Sequence, residues 1–163
     1  MSKVDELKRI ESGPPPGEKP LGLVAEFDVD CERNSIETLQ GAKEVLLAAL
    51  RQADTGGVTL EAWRTILPRW FVEKFAPEIA PEEAVRRRAL PMEERMQLAE
   101  TWSLGAWVYW LKPTERQWEW WDAEVTSPHS LHVMVIVDAF PFPSGSLQWL
   151  FRCCGATSFE LAE

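Results

Sequence analysis

The residues with the most chemical promise in this chain are Trp118, Trp120, Asp122 and Glu124, which alternate along one stretch and share a face if that stretch is a β-strand. Glu119 and Arg116 flank them. Two indoles beside two carboxylates suit protein recognition, because a large rigid ring buries much area at little entropic cost. The acids would also draw a cationic partner by charge and cation–π attraction. The competing expectation is that the rings are core. Six of the nine tryptophans fall between Trp102 and Trp121, and aromatic pairs across strands contribute about 0.2–1 kcal/mol each. Base stacking is a poorer match, since stacking platforms for single strands lie in basic grooves and this region is acidic.

The two histidines, His129 and His132, have the spacing of a helical metal pair, but the first falls in an expected turn and the second on an expected strand. No cysteine or third histidine is close in sequence, so no metal or other cofactor is expected. His132 with Asp122, Glu124 or Asp138 would supply a general base and its orienting carboxylate. A small hydrolase using His132 with Asp122 or Asp138 is therefore the alternative reading, although no nucleophile elbow accompanies them. Asp28, Asp30 and Glu32 open like a calcium loop, but Arg33 stands where that loop needs glycine and no glutamate stands at the twelfth position. Gly56-Gly57 lacks the lysine and spacing of a phosphate loop, and Ser144-Gly145-Ser146 has no further cradle. Three consecutive arginines, Arg86 to Arg88, point in three directions on a helix, which describes a solvated face better than a phosphate site.

These residues sit in a chain of 163 residues with a formal net charge of -9. The balance repels phosphate backbones and anionic lipid, so neither nucleic acid nor a membrane surface is the expected partner. Charge is uneven: residues 21–60 and residues 102–163 each carry seven acids against three bases, while 61–101 is nearly balanced. No run approaches the roughly 18 apolar residues of a membrane span, and residues 1–20 contain no signal-like apolar core. A cytosolic location is the expectation. Cys31, Cys153 and Cys154 form no disulfide framework and read as reduced, buried thiols.

Along the chain, residues 1–20 read as a flexible Pro/Gly-rich tail with a short helix from Asp5 to Glu11. Apolar residues at odd positions from Leu21 to Cys31, with Glu26, Asp28, Asp30 and Glu32 at even ones, predict a half-buried strand with an acidic outer face. Asn34 with Glu37 predicts a capped helix, whose stripe runs from Ile36 through Leu46 to Ala53 and which stops near Asp54. Short helices follow: one capped by Thr59, then those opened by Pro68, Pro81 and Pro91. Leu104–Leu111, Arg116–Val125 and Leu131–Val137 are aromatic and β-branched, which predicts a three-stranded antiparallel meander. Ser144 then caps a helix ended by Gly155, and Thr157, Phe159 and Leu161 form a last strand.

The expected fold is thus α+β over residues 21–163 as a single domain: an N-terminal strand and helices, the meander, a crossover helix, and a final strand parallel to the third meander strand. The expected function is a small, acidic, non-catalytic binding module that docks onto a basic protein partner through its aromatic and acidic surface. An immunity-type inhibitor that masks a basic protein is one version. The pattern carries no signal of oligomeric state.

Overall fold

Residues 25–31 alternate apolar and acidic side chains, and in the computed structural model they lie in strand β1 (Leu23–Cys31), with Ala25, Phe27, Val29 and Cys31 buried and Glu26, Asp28 and Asp30 exposed. The structure describes residues 3–53, 56–78, 80–91, 94 and 102–162. The remaining elements are α1 (Lys3–Ser12), α2 (Ser35–Gln52), α3 (Leu60–Ile66), α4 (Arg69–Val72), α5 (Pro81–Arg88), α6 (Leu104–Leu111), β2 (Trp118–Ser127), β3 (Ser130–Val137), α7 (Gly145–Cys153) and β4 (Ala156–Leu161). The protein is α+β, with one antiparallel sheet in the order β2-β3-β1-β4. Because β1 lies between β3 and β4 and is antiparallel to both, β4 runs in the same direction as β3.

Leu104–Leu111 corrects the expected meander: it is helix α6, not a strand. Ser103 caps it by accepting the Ala106 N–H at 3.2 Å, and Leu104, Trp107 and Leu111 are buried at helical spacing. Every residue of this segment except Gly105 is apolar, so period-two alternation carries no information there. The meander is reduced to a β2–β3 hairpin, and β2 becomes an edge strand.

Within the flexible tail expected over residues 1–20, the short helix expected from Asp5 to Glu11 is present and packs onto the sheet. Lys3–Ser12 forms α1 against β2, with Glu6, Arg9 and Ile10 buried. The reason lies in the edge backbone, whose polar groups need partners when water is excluded. Glu6 Oε2 accepts the Trp120 N–H at 2.7 Å, and Arg9 donates to the Trp120 carbonyl through Nε at 3.1 Å and Nη2 at 2.9 Å. Arg116 holds Glu6 in a two-pronged pair at 2.6 and 2.8 Å.

Helices α2 and α7 cover the inner face of the sheet. Asn34 caps α2 by accepting from Ile36 N at 2.8 Å, and Leu39, Ala42, Val45, Leu46, Ala49 and Leu50 form its buried stripe. Ile36, expected in that stripe, is exposed. From α7, Phe151 stacks on Trp120 at 6.2 Å with the rings nearly parallel. The carbonyl and hydroxyl of Ser146 accept the indole N–H groups of Trp107 and Trp118. Phe71 and Phe75 from the helical middle close against Trp107. The three cysteines are free thiols, and burial pushes Cys153 up to about 12. Arg86 and Arg87 of the basic run pair with Glu83 of the same helix. Of the helix expected from Pro91 to Glu100, all but Pro91 and Glu94 lie outside the described residues, as does Asp54. No helix among the described residues is long and apolar enough to cross a membrane.

Candidate functional site: the acidic outer face of the sheet

The face of the sheet opposite α2 and α7 is built from residues that alternate with the core positions. In β1 these are Glu26, Asp28 and Asp30, and the register with β3 sets His132 opposite Asp28 and Met134 opposite Glu26. On the far side of β3, Glu124 lies opposite His132 and Asp122 opposite Met134. On the far side of β1, Glu160 lies opposite Asp28 and Ser158 opposite Asp30. Three strands that are distant in sequence, β1, β2 and β4, thus bring six carboxylates onto one face. Glu119, at its end, is answered by Arg9 at 3.5 Å, and burial, followed by the nearby Glu6 carboxylate, raises its pKa.

His132 is the one basic side chain that the register sets among the six. Its Nε2 lies 3.1 Å from Glu26 Oε1 and its Nδ1 3.0 Å from Asp28 Oδ1. The hydrogen bond with Glu26, then that with Asp28, raises the imidazole pKa above its ordinary 6.5. When protonated, the ring donates to both carboxylates; when neutral, it has one N–H left to donate. Asp30 is held by the Ser158 hydroxyl at 2.9 Å.

The expected contact surface divides between the two faces. Trp118 and Trp120, expected on the face of Asp122 and Glu124, are 3% and 0% exposed and point into the core. The cause is a bulge: Trp120 pairs with Val135 and Asp122 with Met134, which leaves Trp121 as an extra residue. One extra residue reverses the alternation beyond it. The tryptophan half of the expected binding patch is therefore core, while Asp122 and Glu124 remain on the outer face. Trp121 is buried beneath the Arg9 guanidinium, 5.2 Å from the ring centroid. Arg116 is likewise structural, engaged by Glu6 and lying 5.1 Å over the Trp118 ring.

The pairing of His132 with Asp122 or Asp138 does not form; its carboxylate partners are Glu26 and Asp28. No serine, threonine or cysteine hydrogen-bonds the ring among the described residues. His129 lies in the β2–β3 turn, where its carbonyl accepts from Cys31 N. No group of three or more His, Cys, Asp or Glu side chains among the described residues is arranged to hold a metal. Glu26, Asp28, Asp30 and Glu160 were absent from the expected patch. The signal for the first three is the acidic alternation of 25–31, which only the strand order joins to Asp122, Glu124 and Glu160. Comparison with protein-family models, curated proteins and solved structures found no match.

Proposed function

We propose that the protein is a non-catalytic binding module that presents the acidic outer face of its sheet to a basic surface of a partner protein. The observation that carries this reading is the convergence of Glu26, Asp28, Asp30, Asp122, Glu124 and Glu160 on a face left outside the core. Side-chain exposures of 52% at Glu26 and 71% at Asp28 keep these charges accessible. Asp28 and Glu160 are paired directly across β1 and β4, and like charges in that position destabilise a sheet. The fold bears a cost there that a neutral face would avoid, and a basic partner relieves it. The net charge of -9 acts in the same direction by speeding encounter with cations. A protein that masks a basic protein, in the manner of an immunity-type inhibitor, is the form of module that this surface suits best.

The experiment starts by identifying a salt-sensitive partner by mass spectrometry and reconstituting the complex from purified proteins. Charge reversal of Asp28→Lys with Glu124→Lys should slow association and weaken the complex by about tenfold or more, because complementary charge acts mainly on encounter. The same variant should keep the far-ultraviolet dichroism of the parent. Unchanged affinity in a folded double variant overturns the reading.

A further inference from the structure

The two edges of the sheet are finished differently. At β2 the Trp120 amide and carbonyl are taken by Glu6 and Arg9 of α1. At the opposite edge β4 pairs with β1 on one side only, and among the described residues no strand pairs with its other side. Ala162 N donates to Glu26 O at 2.7 Å. That bond sets the antiparallel alternation, so Ser158 and Glu160 turn their amide groups toward β1, while Phe159 and Leu161 turn theirs outward. An edge with unpaired amide groups is a template for another chain unless a helix, a proline or a bulge blocks it. Residues 158–161 hold neither proline nor bulge.

Beside this edge lies a groove made of two adjoining cavities. One, of about 410 Å³, is lined by β4 from Ala156 to Glu160 together with Trp102, Gln148 and Arg152. The other, of about 400 Å³, is walled by Phe27, Phe140, Pro141, Phe142, Phe159 and Leu161. They share Gln148 and Phe159. Phe159 and Leu161 pair with Val29 and Phe27 and so belong to the apolar side of the sheet, whereas Ser158 and Glu160 pair with Asp30 and Asp28 on the acidic side. A strand laid along β4 would send alternate side chains into the aromatic cavity and the intervening ones toward Glu160 and Asp28.

We propose that the β4 edge receives an extended segment of a partner protein as a fifth strand, one in which apolar residues alternate with lysine or arginine. Main-chain hydrogen bonds to Phe159 and Leu161 supply affinity, and the two sets of side chains supply specificity. The inference rests on the reading of the outer face as a docking surface for a basic partner, and it adds the mode of docking. Charge disfavours a second copy of this chain as the occupant, because pairing β4 with β4 extends one acidic face with another in a molecule of net charge -9.

The test uses the full chain, isotopically labelled, and a short synthetic peptide alternating valine and lysine. Binding should shift the Phe159 and Leu161 amide resonances and slow their hydrogen exchange. N-methylating the peptide on its edge-facing amides should weaken binding by about tenfold or more, the worth of two hydrogen bonds. Leu161→Pro should do the same, since it removes an outward N–H that β1 does not use. The N-methylated peptide makes the same test without altering the protein. No binding, or equal binding of the two peptides, overturns strand addition. Equal binding of the two peptides that weakens on reversing Asp122 and Glu124 to lysine leaves the acidic docking face standing without it. Strand addition that is indifferent to reversing Asp28 and Glu160 to lysine, the acids nearest the added strand, instead removes the basic partner and keeps the edge. A concentration-dependent dimer abolished by Leu161→Pro overturns the choice of occupant.

Discussion

Replacing Glu6 by alanine removes three charge-assisted hydrogen bonds at once: one from the Trp120 amide at 2.7 Å and two from Arg116 at 2.6 and 2.8 Å. Glu6 is 1% and Arg116 15% exposed, so water cannot fully replace what is lost. Breaking a buried ion pair from one side costs about 3–5 kcal/mol. An orphaned buried amide costs about 1–3 kcal/mol, but the two are not additive because both depend on the same carboxylate. The loss should therefore be about 3–5 kcal/mol, a large share of the roughly 5–15 kcal/mol that holds a domain folded. Urea unfolding should show the free energy extrapolated to water falling by that amount, and a thermal melt should fall by about 10 °C or more. Glu6→Gln keeps an acceptor for the Trp120 amide and should lose only about 1–3 kcal/mol. Adding Arg116→Ala to Glu6→Ala should cost less than the sum of the two single changes, since the second removes a charge already stranded. A folded Glu6→Ala protein within about 1 kcal/mol of the parent would refute the assignment of α1 as the clamp on the β2 edge.

Trp120→Ala should destabilise the fold by about 3–5 kcal/mol through the cavity left against Phe151, measured by the same urea titration. Ser103→Ala should cost about 0.5–2 kcal/mol by uncapping α6, whereas a strand in that position would be nearly indifferent; equilibrium unfolding separates the two. His132 should titrate above 6.5 in the folded protein, and Glu26→Gln should lower its midpoint more than Asp28→Asn, as read from imidazole proton shifts. Because its folded pKa is the higher one, its contribution to stability is complete below 6.5 and is lost as pH rises through the folded midpoint. His132→Ala should flatten stability against pH in that window.

Local pattern decided those elements whose neighbours merely had to accept it. Acidic and apolar residues alternate strictly over 25–31, so β1 and the orientation of its acids are legible before any partner strand is known. Asn34 and the stripe through Leu46 identify α2 in the same way. At 104–111 the pattern saturates: apolar residues fill both possible faces, and only the Ser103 cap and the packing of Trp107 on Phe71 and Ser146 select a helix. The sheet edge left without that strand explains why residues 3–12 dock, since the Trp120 backbone then needs the side chains of Glu6 and Arg9. The bulge at Trp121 falls where the alternation of apolar and acidic residues shifts phase, between Trp120 and Trp121, so a constant period of two sets Trp118 and Trp120 on the face of Asp122 and Glu124 although they turn inward. The acids themselves were always visible. Their assembly into one face, from residues as far apart as Glu26, Asp122 and Glu160, required the strand order β2-β3-β1-β4, because only hydrogen-bonded neighbours bring side chains within reach of one another.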